Sequence, residues 1–108
     1  MDELSEMYER QKRFLIEILG TDNFEHLHVE LTEKYLLRLH GELTEVFDAS
    51  KLKEMNPVLS IEEKEHQLEE MIDCFKYLLN LFIINKHEPE DIIKKFNEKS
   101  SIVEKRKK

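Results

Sequence analysis

Two pairs of carboxylates, Glu42 with Glu45 and Glu70 with Asp73, are the residues of this chain whose type and spacing best suit chemistry. Positions three apart share one face of a helix, so each pair presents two oxygen-bearing groups together. If the two helices pack antiparallel, four carboxylates converge. Four anions in one place need a compensating charge. Hard oxygen ligands of this kind suit Mg²⁺, with Mn²⁺ as a possible substitute. The competing reading is a set of solvated faces, because the chain carries 24 Asp and Glu among 108 residues and such pairs arise in it by chance.

The elements that must hold these pairs are helices. Two Gly and two Pro are too few for the turns of a β-rich fold. Three breaks punctuate the chain: Gly20 to Asn23, Asn56 to Ser60, and His87 to Pro89. They predict four helices over roughly 2–19, 24–54, 61–86 and 89–106. Asp22 with Glu25 and Ser60 with Glu63 have capping-box spacing. Pro89 suits a first helical turn. Gly41, inside the second helix, points to a close helix contact or a bend there.

The third helix carries a main apolar stripe of Leu68, Met71, Ile72, Phe75, Leu79, Phe82 and Ile83. A second row, Glu70, Asp73, Tyr77, Leu81 and Ile84, is polar for one turn and then apolar. A helix apolar on both sides is central in a bundle or meets another subunit. In the second helix the main stripe is Leu36, Leu39, Leu43, Val46 and Phe47. Glu42 and Glu45 lie beside it, in line with Leu31, Tyr35 and Ala49. Both carboxylate pairs therefore border apolar rows.

Composition limits the rest. The net charge of -7 argues against nucleic acid polymers and anionic membranes as partners. The 40% hydrophobic content argues against an acidic disordered chain. One domain over 1–108 is expected, with a frayed basic tail at about 104–108. The single cysteine, Cys74, excludes a disulfide framework and points to a reducing, cytoplasmic setting. No apolar leader opens the sequence, and no stretch is long enough to span a bilayer. Cys74 reads as a packed thiol, and His26, His28 and His40 as ordinary surface or capping histidines. Tyr77, Asn80 and Tyr35 lie near the carboxylate rows, where an aromatic ring or amide can touch a ligand.

The segment Leu39 to Val46, with Glu42-Leu-Thr-Glu45, resembles the first motif helix of the MazG-like all-α nucleoside triphosphate pyrophosphohydrolases. Leu68 to Leu79, with Glu70-Met-Ile-Asp73, resembles the second. That superfamily includes MazG and the dimeric dUTPases. Met7 to Gln11 is similar to the leading helix of its short members. Phe96, Lys99 and Arg106 are similar to a tail pattern in which a Lys and a downstream Arg serve the phosphates. Val103 stands where that tail often has Asn. The segment Ser50 to Met55 lacks the aromatic surroundings usual in dimeric dUTPases.

The resemblance implies a four-helix MazG-like bundle completed by subunit association, as a homodimer or dimer of dimers. It implies Mg²⁺-dependent conversion of a (deoxy)nucleoside triphosphate to the monophosphate and pyrophosphate. Glu42, Glu45, Glu70 and Asp73 would hold metal, and Glu45 would orient or deprotonate the attacking water. Lys51, Lys53, Lys99 and Arg106 would stabilise phosphate charge. Tyr77 and Asn80 would contact the base. Two alternatives stand beside this: a non-catalytic helical dimerisation or adaptor protein, and a sister activity such as phosphoribosyl-ATP pyrophosphohydrolase.

Overall fold

The structure is a computed structural model that describes residues 2–54 and 58–106. Four α-helices follow one another: α1 (Glu3–Leu19), α2 (His28–Ala49), α3 (Ile61–Ile84) and α4 (Pro89–Arg106). There is no strand among the described residues. No helix is long and apolar enough to cross a membrane. The expected break at Asn56 and Pro57 lies outside the described residues, as do Lys107 and Lys108 of the tail. Glu104, Lys105 and Arg106 continue α4 as helix.

Local chemistry explains most helix ends. The Asp2 side chain caps α1 by accepting from the Ser5 N–H at 2.7 Å. That hydrogen bond to the ionised form holds the Asp2 carboxyl below its usual range. Gly20 ends α1 in the left-handed region at φ 69° and donates its N–H to Ile16 O at 2.8 Å. Ser60 and Glu63 form the full capping box at the start of α3. Glu90 and Asp91 sit in the first turn of α4, and Lys105 and Arg106 in its last, both favourable to the helix dipole.

α2 is shorter than expected, and its start differs in kind. Leu27 is the N-cap residue and offers no side-chain hydrogen bond. The Asp22–Glu25 capping box does not form. Instead Asn23 Oδ1 accepts from the Glu25 N–H at 3.1 Å, and Leu27 donates its N–H to Phe24 O at 3.0 Å. Phe24 is 5% exposed, and burying its ring draws this segment inward ahead of the helix. At the other end, Lys51 takes φ 56°, which stops α2 five residues short of the expected boundary.

α2 and α3 form the main layer, α1 packs across α3, and α4 approaches α1, with its Ile92 packed against the core and a groove shared with Phe82 of α3. The core joins Tyr8 and Leu15 of α1, Phe24, Leu31 and Tyr35 of α2 and its approach, and Leu79, Ile83 and Ile84 of α3. The expected main stripes supply only part of it: Leu79 and Ile83 of the α3 stripe are buried, with Phe75 and Phe82 packed against the core. In α2 the buried residues are Leu31, Tyr35 and Ala49, while Leu36 and Leu43 are both 52% exposed. In α3, Leu68, Met71 and Ile72 are exposed too. In α2 the carboxylate-bearing row turns inward; in α3 the inner face draws on both rows, and only the first turns of its main stripe stay open. Gly41 is no contact point: a Cβ added there would meet nothing within 4 Å.

Candidate functional site

The packing of α2 on α3 brings three of the four predicted carboxylates together. Glu42 of α2 and Glu70 and Asp73 of α3 each place a carboxylate oxygen within 4.8 Å of the other two. Glu42, Glu70 and Asp73 would be the residues to hold a hard divalent cation there, through carboxylate oxygens of the kind Mg²⁺ takes. Glu42 and Glu70 are half-buried and Asp73 is exposed. Burial, and then the charges of Asp73, Glu70 and Glu45, push the Glu42 carboxyl above its usual range. Shared negative charge at a partly desolvated site is the condition a divalent cation relieves.

Glu45 stands apart from this trio. It is exposed, one turn along α2, and borders a hollow shared with Asp48, Lys51, Glu62, Glu63 and His66. Its charge still reaches Glu42. His66 Nε2 lies 3.8 Å from Glu70 Oε1. The sequence does place His66 four residues before Glu70, a spacing that faces the two together.

A cleft of about 470 Å³ opens beside the carboxylates, between α1 and the α2–α3 layer. Glu42 and Asp73 form one end of it. Lys34, Arg38 and Lys76 also line it, and Arg38 is close enough to favour the ionised form of Glu42. Tyr35, Tyr77 and Asn80 line it deeper, with Gln11 and Phe14 from α1 opposite. Tyr35 and Tyr77 meet with ring centroids 6.0 Å apart at 42°. Asn80 is 6% exposed, and its Oδ1 accepts from Gln11 Nε2 at 2.8 Å. The predicted base-contacting residues, Tyr77 and Asn80, thus share one cleft with two of the carboxylates.

The predicted phosphate-binding cations are placed elsewhere. Lys51 and Lys53 lie past the end of α2, beside Asp48. Lys99 borders a separate groove on α4. Arg106 is the last residue of α4 and is exposed. None of the four lines the cleft that Glu42 and Asp73 share. The cations that do, Lys34, Arg38 and Lys76, are set by helix phase. Lys34 and Arg38 precede Glu42 by eight and four residues, and Lys76 follows Asp73 by three. Gln11 could be found only from the packing of α1.

Cys74 is half-buried. Burial, and then the charges of Glu42, Asp73 and Glu70, push its thiol above the usual range, which matches an inert thiol rather than a nucleophile.

Compared with known proteins, the chain matches no family model, no curated protein and no solved structure.

Proposed function

We propose that this protein is a Mg²⁺-dependent nucleotide pyrophosphohydrolase of the MazG-like kind, converting a (deoxy)nucleoside triphosphate to the monophosphate and pyrophosphate. The observation that carries the reading is the convergence of Glu42, Glu70 and Asp73 at the mouth of a cleft lined by cations, aromatics and amides. The donor set fits the metal, because three hard carboxylate oxygens already lie close together. Mg²⁺ bound there would neutralise the triphosphate and polarise the attacked phosphorus.

The chain's own residues take the remaining roles. Lys34, Arg38 and Lys76 hold phosphate oxygens along the cleft, in addition to or in place of Lys51, Lys53, Lys99 and Arg106. Tyr77 and Asn80 meet the base, with Gln11 fixing the Asn80 amide. Glu45 orients the attacking water and takes its proton. The new P–O bond comes from that water, and pyrophosphate leaves.

The exposed row of Leu36, Leu43, Phe47, Leu68, Met71 and Ile72 supports a homodimer or dimer of dimers, since a contiguous apolar flank is costly in water. A cytoplasmic setting fits such an enzyme.

The deciding experiment follows pyrophosphate release from a panel of NTPs and dNTPs with Mg²⁺. Turnover of at least one nucleotide is expected. Asp73→Asn should lower it by at least about 100-fold, on the scale of losing transition-state charge stabilisation. Absence of turnover across the panel would leave the non-catalytic dimerisation or adaptor protein as the better reading, because the same apolar flank serves protein contact. Release of pyrophosphate from phosphoribosyl-ATP alone would assign the sister activity.

A further inference from the structure

The seam between α2 and α3 fixes the order of groups along the cleft. Gln67 Nε2 donates to Ser50 Oγ at 2.8 Å, Glu42 faces Glu70 and Asp73, Tyr35 meets Tyr77, and Asn85 Nδ2 donates to Thr32 Oγ1 at 3.0 Å. The pairing numbers fall along α2 as they rise along α3, so the two helices run antiparallel. Seven residues of helix advance the seam by about 10 Å. From the carboxylates, the cleft therefore passes Arg38 and Lys76, then the tyrosine pair, then Asn80 and Gln11.

Tyr35 combines a fixed ring with a free polar atom. It is 7% exposed, and its ring is locked into the core and against Tyr77. Its hydroxyl has no hydrogen-bond partner among the described residues, yet no buried side-chain oxygen or nitrogen lacks one, so this hydroxyl reaches open space. The open space that Tyr35 borders is the cleft. Burial, and then the Tyr77 phenol, push the Tyr35 phenol above its usual range, so it stays neutral and can both donate and accept. Packing alone would be served as well by Phe. A hydroxyl held rigidly on a cleft wall is preorganised for a polar atom of a ligand.

A nucleotide presents its groups in a fixed order of phosphates, sugar and base. With the phosphates at the carboxylate and cation end and the base at Asn80, the sugar falls at the tyrosine pair. We propose that the Tyr35 hydroxyl hydrogen-bonds a hydroxyl of the nucleotide's sugar, which makes Tyr35 the residue that reads the pentose. The inference rests on the nucleotide reading of the cleft and adds to it the contact that separates one sugar from another.

The test is equilibrium binding, by titration calorimetry with Mg²⁺, of α,β-imido nucleoside triphosphates, which resist cleavage at the bond a pyrophosphohydrolase breaks. Ribose, deoxyribose and dideoxyribose forms of each common base are compared on the wild type and on Tyr35→Phe. The wild type should bind the dideoxy form about 5- to 10-fold more weakly than a hydroxyl-bearing form, the scale of one neutral hydrogen bond. Tyr35→Phe should weaken the hydroxyl-bearing form by the same factor and leave the dideoxy form unchanged, because both changes remove one bond. A loss confined to ribose assigns the 2′-hydroxyl, and a loss shared with deoxyribose assigns the 3′-hydroxyl. Far-ultraviolet circular dichroism checks the variant's helix content. If the variant does not fold, the wild type's own ratio between the forms decides. A variant that binds every form like the wild type would overturn the contact. So would equal weakening of all three forms, which would put the phenol on phosphate or base. Binding without turnover would sink the hydrolase and leave the contact to stand on these ratios, whereas no binding of any form would overturn both.

Discussion

At the scale of single residues, the acids divide into those that repel one another and those that water serves. Glu42, Glu70 and Asp73 are crowded enough that Glu42 holds its proton to higher pH than a free glutamate. A carboxyl raised in the folded chain contributes stability below its unfolded pKa and loses it as pH rises through the folded one. Glu42→Gln should therefore leave the metal-free protein as stable at pH 7 or more so, and remove its response to metal. In the wild type, Mn²⁺ or Mg²⁺ at about 100 times its dissociation constant should raise the melting midpoint by roughly 10 °C, from about 2.7 kcal/mol of linkage. Differential scanning fluorimetry of the two proteins checks both statements. Glu45 is separable by the same method: Glu45→Gln should keep the metal-induced shift and lose pyrophosphate release.

Tyr8 gives a second test at this scale. Its ring is 1% exposed, and burial, aided by Glu88, Glu9, Asp91 and Glu90, pushes its phenol up to about 12. The unfolded phenol ionises near 10, so the folded form is favoured fully below that pH. The advantage is lost between about pH 10 and 12, up to about 2.7 kcal/mol. Urea unfolding of wild type and Tyr8→Phe across this range should show the difference between them shrinking in the substituted protein's favour.

At the scale of elements, the helix ends are where single changes act cleanly. Ser60→Ala removes the acceptor for the Glu63 N–H, a bond of 3.1 Å, and should cost about 1 kcal/mol. Gly20→Ala forces a Cβ into a left-handed residue at φ 69° and should cost about 1 kcal/mol, with no clash to add to it. Both are read by equilibrium denaturation, and neither touches the cleft. The Ser60–Glu63 box was legible in the sequence because both partners are local. The Asp22–Glu25 pair had the same spacing and failed. Phe24 lies between them, and the core claims its ring. Local capping is worth about 1 kcal/mol, less than the roughly 1.5–3 kcal/mol of a buried aromatic.

At the scale of the whole molecule, the open flank is what a single copy leaves unsolved. A single copy leaves Leu36, Leu43, Phe47, Leu68 and Phe96 in water, while burying a smaller core of aromatic and aliphatic residues along α1 and the inner rows. Small chains gain disproportionately from association, because their own surface is large relative to their core. Leu43→Glu, at a position 52% exposed in the single chain, should leave helix content intact and reduce the mass seen by light scattering. Leu15→Ala, by contrast, removes a side chain 1% exposed and should cost about 2–5 kcal/mol in any assembly state.

The sequence by itself determined four helices, six of their eight ends to within two residues, and the two carboxylate pairs as positions of interest. Those features follow from backbone hydrogen bonding, capping and periodicity, which act within a few residues of the chain. Which apolar row of α2 faces inward, and that α3 draws on both of its rows, was decided only by the tertiary structure. Both rows have helical spacing, and periodicity marks a face without saying what covers it. That one rotation sets the rest: it turns Glu42, Glu70 and Asp73 toward one another, holds Glu45 a turn away, and lines the cleft with Lys34, Arg38 and Lys76 rather than with the tail cations. It also leaves Leu36 and Leu43 of α2 and Leu68, Met71 and Ile72 of α3 exposed. Convergence in space depends on helix phase and packing summed over the chain, and spacing along one helix carries no term for it.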